Sequence, residues 1–394
     1  MSENNQPYRL VIIAVVALSA FGINFIHFQI AGLAPLIFQL TGATPQQFGL
    51  LMGLPLLGCT IIGIPFGALG DRYGVKLMVS IGIVFSLIGT IGRYFAEPEI
   101  GNYYFWMFLI GVSNGAINAN FIKVIGVWLP PRQIGLGVGC YLAGIGLGQS
   151  GAVLVGSKFS ALGPAFSLSV WVIAAVLVIW LVLLKPAPAG APKMEPQPLM
   201  EGLRYVMAKP VIWVAGFCAL FMLGAYVTLN SFLVGGLIAA KGVTPDKAAM
   251  AGSAVAFSLM IGSLVAAALA KAVGRSKAFL AGAGLISAVC VYLAWSVEYG
   301  GLTVALLFGA GFFSGAFLSF ILSLPMLLSY IGPVYAGSAG GVISTLQTGG
   351  GFALPFLLPM MAGGSMDGIF TLVAAGFAVM AFLALAIPEL LKSK

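Results

Sequence analysis

The chain is short of charge. Of its 394 residues only 10 are Asp or Glu and 18 are Lys or Arg, 7% charged in all, against about a quarter in an ordinary soluble domain. A water-exposed surface cannot be built from that supply, so a soluble globular fold is excluded. His27 is the one histidine, and the four cysteines, Cys59, Cys140, Cys218 and Cys290, lie in separate apolar stretches with no CxxC spacing. No metal site or disulfide framework follows from them, and packing is the role left to the thiols. No Asp or Glu lies deep in an apolar stretch, which removes the parts of a carboxylate proton relay or a buried cation site. A catalytic constellation also lacks its nucleophile, its acid/base pair and its metal, so the chain reads as no enzyme, and no cofactor motif occurs. A non-transporting sensor would need a soluble output domain, and none is seen.

What the chain has is apolar length: 60% of it is hydrophobic and the mean hydropathy is +1.09. A bilayer-crossing helix needs about 20 mostly apolar residues. Twelve stretches meet that length, at about 9–38, 46–70, 76–96, 100–129, 133–158, 163–184, 210–240, 246–270, 277–297, 300–329, 334–362 and 367–388. The alternation expected of a membrane β-barrel is absent. The expected class is therefore all-α, a polytopic membrane protein with twelve transmembrane helices. The first stretch is too long for a cleaved signal peptide and is expected to stay in the membrane.

Basic residues orient such a chain, because cytoplasmic loops carry the excess of Lys and Arg. With the N-terminus inside, the inner side holds thirteen: Arg9, Arg72, Lys76, Arg132, Lys185, Lys193, Arg204, Lys209, Lys271, Arg275, Lys277, Lys392 and Lys394. The outer side holds three, Lys158, Lys241 and Lys247, and Arg93 and Lys123 fall within spans. Both termini are expected in the cytoplasm, in an inner (plasma) membrane. The net charge of +8 thus orients the protein and implies no nucleic acid.

Residues 185–209 form the one long polar connection, with five prolines and an amphipathic stretch, 199–208, suited to the inner leaflet. It separates an N-terminal six-helix half, 1–184, from a C-terminal one, 210–394. An offset of 200 residues aligns the halves: Thr44-Pro45 falls on Thr244-Pro245, Leu69 and Gly74 on Leu269 and Gly274, and Gly111 and Gly115 on Gly311 and Gly315. Each Thr-Pro pair is suited to begin a helix, Thr as N-cap and Pro at N1. The shared offset at three places indicates an internal repeat.

After the second stretch comes GALGDRYGVK, 67–76. Its glycines permit a tight turn, Asp71 can accept from helix N-terminal amides or pair with a base, and Arg72 and Lys76 suit anionic headgroups. Here the chain resembles the major facilitator superfamily, whose loop between helices 2 and 3 reads G-x-L-x-D-R-x-G-x-K/R. Gly67, Leu69, Asp71, Arg72, Gly74 and Lys76 all match. The resemblance implies a conformational latch at Gly67, Asp71, Arg72, Gly74 and Lys76. The second copy, 269–277, has Lys271 and Ala272 where the first has Asp71 and Arg72, so no latch is carried over to it. Residues 114–151 resemble the branch of nitrate/nitrite porters, cyanate permeases and oxalate or monocarboxylate carriers. The shared features are a helix-4 basic residue, Pro130 and Arg132 in the loop, and Gly135, Gly139, Gly144 and Gly148. The chain lacks the helix-4 Arg of many sugar and drug porters, Met107 preceding Gly111 at that spacing, and the helix-5 Gly-Pro pair of drug/proton antiporters.

Ionisable residues inside spans are costly and so become functional candidates. Lys123 shares a helical face with Ala116 and Asn120 and offers a cation to an anionic substrate, or else snorkels to inner headgroups. Arg93, near the outer end of its helix, is expected to snorkel, with a substrate contact as the other reading. His27, one turn from Asn24, is placed to exchange a proton, to donate to substrate, or simply to pack. Tyr141, Gln149, Tyr226, Asn230, Tyr330 and Gln347 complete the candidate substrate-binding set, with Gln29, Asn114 and Asn118 as further polar residues; hydrogen bonds between helices are the competing role. Glycine, 54 residues in all, is concentrated in helices 5 and 11, where small residues let helices approach and slide. The expected activity is secondary transport of a small inorganic or organic anion by alternating access, with proton coupling through His27 or the substrate as one mode, by a monomer in the bilayer. An exporter of neutral or lipophilic compounds is the alternative.

Overall fold

A computed structural model describes residues 6–129, 133–185 and 199–390. All regular structure among them is helical: α1 (Gln6–Gly32), α2 (Ala34–Thr41), α3 (Pro45–Tyr73), α4 (Val75–Phe95), α5 (Ile100–Trp128), α6 (Ile134–Gly156), α7 (Leu162–Leu183), α8 (Leu199–Met207), α9 (Pro210–Lys241), α10 (Pro245–Val273), α11 (Ser276–Ser296), α12 (Gly301–Leu327), α13 (Gly332–Met361) and α14 (Met366–Ala384). Twelve of these are long and apolar enough to cross a membrane; α2 and α8 are not. The first span ends earlier than the sequence suggests. Pro35 has no amide to donate back along the helix, and the chain breaks at Leu33 into α1 and α2. Large apolar side chains stand exposed on the helices, among them Phe95, Trp171 and Phe382 at 77%, 72% and 74%, a surface suited to lipid and not to water.

The helices form two compact units, Met1–Thr41 with Leu54–Pro196, and Gly42–Gly53 with Gln197–Lys394. The first turns of α3 belong to the second unit, since Gly49 and Gly53 lie against the backbone of Pro355 and Phe352 in α13.

Each unit is built on the same frame. In the first, α1 packs on α6 and α4 on α5 and α7; in the second, α9 packs on α13 and α11 on α12 and α14. A methyl added to Gly111 would run into Pro55 O, and one added to Gly311 into Val255 O; Gly115 faces Cys59 O as Gly315 faces Leu259 O. These pairs sit 200 residues apart, and in each the missing side chain lets two helix backbones touch. A serine pair recurs too: Ser86 Oγ donates to Ile110 O at 2.5 Å and bonds Ser113 Oγ at 2.6 Å, while Ser287 Oγ donates to Ala310 O at 3.3 Å and bonds Ser314 Oγ at 3.2 Å. Gly74 and Gly274, which end α3 and α10, both take positive φ, 94° and 72°, where a side chain would strain the turn.

The two Thr-Pro starts differ in detail. Thr44 forms a reciprocal cap with Gln47, Thr44 N donating to Oε1 at 2.9 Å and Gln47 N to Thr44 Oγ1 at 3.3 Å. Thr244 makes no side-chain cap, and Lys247, at the place of Gln47, has no acceptor to return the bond.

Candidate functional site

The interior of the first unit holds the charged group that the sequence places outside. Arg93, in the last turn of α4, is 0% exposed and does not snorkel. Its Nη1 donates to Ile26 O of α1 at 3.2 Å and lies 3.3 Å from Met107 Sδ of α5, and the guanidinium sits 4.5 Å over the Phe166 ring of α7. Tyr103 meets the same ring edge-on, centroids 5.6 Å apart at 77°. An aromatic face and a backbone carbonyl offer the cation what a headgroup would have offered, so the side chain turns inward. Nε and Nη2 are buried without hydrogen-bond partners. No Asp or Glu is buried among the described residues.

Around Ile26, α1 carries three buried polar side chains. Asn24, 8% exposed, donates to Ala20 O at 2.9 Å and accepts from Gln149 Nε2 of α6 at 3.2 Å. His27 is 1% exposed, with its ring 4.6 Å from that of Phe28. Gln29 is committed to α7, donating to Ala165 O at 2.9 Å and accepting from Ser169 Oγ at 2.5 Å. That bonding makes it a helix-helix tie.

Along α5 the polar residues divide between two faces. Asn118, exposed, accepts from the Tyr141 hydroxyl and lies 3.7 Å from Cys59 Sγ, while Phe121 stacks on Tyr141 at 3.9 Å. Asn120 and Lys123 turn instead to α3. Asn120 Nδ2 donates to Phe66 O at 3.2 Å and to Ala116 O at 2.8 Å, and its Oδ1, set against Gly70, has no partner. Lys123 Nζ donates to Gly67 O at 2.8 Å. The helix-4 cation is thereby tied to the first glycine of the 67–76 motif, and not to headgroups.

Within that motif, Arg72 lies over the Tyr73 ring at 5.2 Å; the Asp71 side chain, like Pro130 and Arg132, lies outside the described residues. Lys76 does not reach for lipid. Its Nζ donates to Leu181 O at 2.7 Å, one of the last carbonyls of α7, which have no donor within their own helix, and Trp180 Nε1 returns a bond to Lys76 O at 3.2 Å.

The candidates of the second unit lie on α9, on α13 and in the turn before α13. Tyr226 and Asn230 are buried on α9, joined by Asn230 Nδ2 to Tyr226 O at 2.9 Å, and Asn230 Oδ1 is without a partner. Gln347 is half-buried on α13. Tyr330 is 44% exposed in the turn before α13, its carbonyl accepting from Tyr205 of α8 at 2.9 Å, and burial of the ring's neighbourhood pushes its phenol pKa up. Tyr205 stacks on Tyr335 at 4.3 Å and Lys209 lies 4.6 Å over Tyr205. The amphipathic segment that the sequence assigns to the leaflet thus rests its aromatic residue on α13.

Two clusters in this unit carry no signal in the sequence. Glu389, beyond α14, accepts from Ser276 N and Oγ, both at 2.5 Å, and from Lys277 N at 3.3 Å. Trp295 stacks on Phe370 at 3.8 Å and donates to Asp367 at 2.7 Å, while Lys241 lies 5.1 Å over its ring. Partners so far apart in the chain have no spacing to reveal them.

Residues 12–355 match the profile of the Major Facilitator Superfamily. An uncharacterised MFS-type transporter of Mycobacterium tuberculosis is 24% identical over 350 residues, 85% of this chain and 75% of the relative. A hexuronate transporter of Bacillus subtilis is 26% identical over 201 residues, 46% of each chain. Human protein spinster homolog 1 is 25% identical over 243 residues, 57% of this chain and 44% of the relative. Among solved structures, a bacterial homologue of the human lysosomal transporter spinster, inward-facing and unoccupied, superposes with a TM-score of 0.76 at 19% identity, covering 97% of this chain and 95% of its own. That likeness bears on the fold alone. The nitrate, cyanate and oxalate branch suggested by residues 114–151 is not represented among these relatives.

Proposed function

Because the chain belongs to the Major Facilitator Superfamily and is an integral membrane transporter, we propose that its cargo is a small organic or inorganic anion, moved by alternating access. The observation that carries this reading is the sign of the interior charge. Of the basic side chains within the described spans of the first unit, Arg9 and Lys76 stand at span ends, Lys123 is half-buried and Arg93 is fully buried, and no Asp or Glu is buried among the described residues. A cation held out of water without a carboxylate carries a desolvation cost that a carbonyl and a ring offset in part and a visiting anion would offset further. The hexuronate transporter adds support, since a hexuronate is a carboxylate. Asn24, His27, Gln149, Asn120 and Tyr141 are the further substrate-binding candidates in this unit, and Tyr226, Asn230, Gln347 and Tyr330 are the candidates in the other. His27 is the group suited to proton coupling near neutral pH. We assign the protein to the inner membrane as a monomer, with cytoplasmic termini and a latch at Gly67, Asp71, Arg72, Gly74 and Lys76.

Uptake into liposomes by the purified protein tests this, with labelled hexuronate, lactate, oxalate, formate and nitrate. We expect saturable uptake of at least one anion, and Lys123→Ala or His27→Ala to lower its kcat/KM about tenfold, the equivalent of ~1.4 kcal/mol. If both variants transport every anion as the wild type does, this assignment of the site is wrong. Uptake confined to neutral compounds would favour an exporter of lipophilic molecules instead, a reading to which the bond between Lys123 and Gly67 O lends some weight.

A further inference from the structure

The two unpartnered nitrogens of Arg93 are not scattered. Nη1 is occupied by Ile26 O and the Met107 sulfur, and the two left over, Nε and Nη2, form one edge of the planar guanidinium. On that edge the two N–H bonds run parallel, the geometry that matches both oxygens of a carboxylate at once. Phe166 covers one face of the plane, and the Tyr103 phenol lies within electrostatic reach of the charge. No buried Asp or Glu among the described residues competes for the edge.

The cost of this arrangement is what makes it informative. A guanidinium buried with two bare donors is among the least favourable groups a helical interior can hold, and an aliphatic side chain of similar length would pack there at no such cost. In α11, where the serine pair sets the offset at 201, the matching place holds Ala294, buried and uncharged, and Trp295 beside it stacks on Phe370. The fold does not need a cation at this point. The geometry points to a seat for a planar carboxylate on the Nε/Nη2 edge of Arg93, inside the first unit, among α1, α4, α5 and α7. A spherical halide cannot engage two parallel donors equally well, so the seat discriminates by shape as well as by charge.

The carboxylate has two possible sources: the transported substrate itself, which deepens the anion-carrier reading and rests on it, or a small resident acid that neutralises the unit independently of transport. The test separates them. Thermal unfolding of the purified full chain is followed at constant ionic strength in formate or acetate, with chloride as the spherical control, for the wild type, R93K and R93M. The expected result is a saturable rise in Tm with formate or acetate that chloride does not give. R93K keeps the charge without the edge and R93M removes both, so both variants should lose the rise. No carboxylate-specific rise in the wild type, or an equal rise in R93M, overturns the seat. Liposome uptake of the transported anion then identifies the source. A raised KM in R93K assigns the seat to the substrate, and unchanged uptake alongside the lost Tm response assigns it to a resident carboxylate. Failure to find any transported anion would remove the proposed cargo but leave the Tm result standing.

Discussion

The two units tie the start of their third span to the end of their sixth by opposite chemistry. In the first, Lys76 at the head of α4 sends an ammonium to Leu181 O at the end of α7; in the second, Ser276, which heads α11, receives the carboxylate of Glu389, just beyond α14. One clasp satisfies a helix C-terminus with a cation, the other a helix N-terminus with an anion, and each agrees with the partial charge at that helix end. The second loop lost its acidic residue, Lys271 standing where the first has Asp71, and Glu389 brings a carboxylate to the neighbouring helix start from another part of the chain. A repeat therefore preserves where a junction must be tied more strictly than the residues that tie it. The interiors teach the same lesson: a common frame of glycine and serine contacts encloses a guanidinium with two unpartnered nitrogens in one unit and a tryptophan bonded to Asp367 in the other.

The common frame is the part of this comparison most exposed to a single change. Gly111→Val and Gly311→Val each place a branched side chain on a backbone carbonyl and should destabilise by about 3 kcal/mol or more, read as lost monodisperse protein in detergent and lower Tm. Equal losses would support equivalent frames, and a tolerated variant in either unit would break the equivalence. The clasps should respond less. Glu389→Ala removes an acceptor of three hydrogen bonds and is expected to cost about 2–3 kcal/mol, against about 1 kcal/mol for Lys76→Met, which loses one; thermal unfolding ranks them, and the reverse order would refute the unequal strengths. The smallest contrast is at the caps: Thr44→Ala should cost about 1 kcal/mol and Thr244→Ala a few tenths, because only Thr44 has a reciprocal partner.

Much of the fold was legible in the residues. Runs of about 20 apolar residues mark the spans, and the offset of 200 marks the repeat, because both are properties of neighbours along the chain. The candidate site was legible only as a set of residue types. Arg93 stands near a helix end, where snorkelling is the local expectation, and only α1, α5 and α7 arriving around it supply the carbonyl, the sulfur and the ring that draw it inward. Lys76 was assigned to headgroups for the same reason, and Leu181 O competes for it from another helix, as Gly67 O does for Lys123. Gln29 and Asn120, alike as polar residues in apolar helices, each donate to a carbonyl of a neighbouring helix that the sequence does not place beside them.

Composition and periodicity by themselves settled that this chain lives in a bilayer as twelve helices in a twofold repeat, because hydrophobic length and glycine placement act locally and survive any rearrangement of the helices. Which way each scarce charge points was decided only by the tertiary structure. In a medium with almost no water, a buried donor goes to whichever acceptor the neighbouring helices bring within about 3 Å, and that neighbour is not written beside it in the chain.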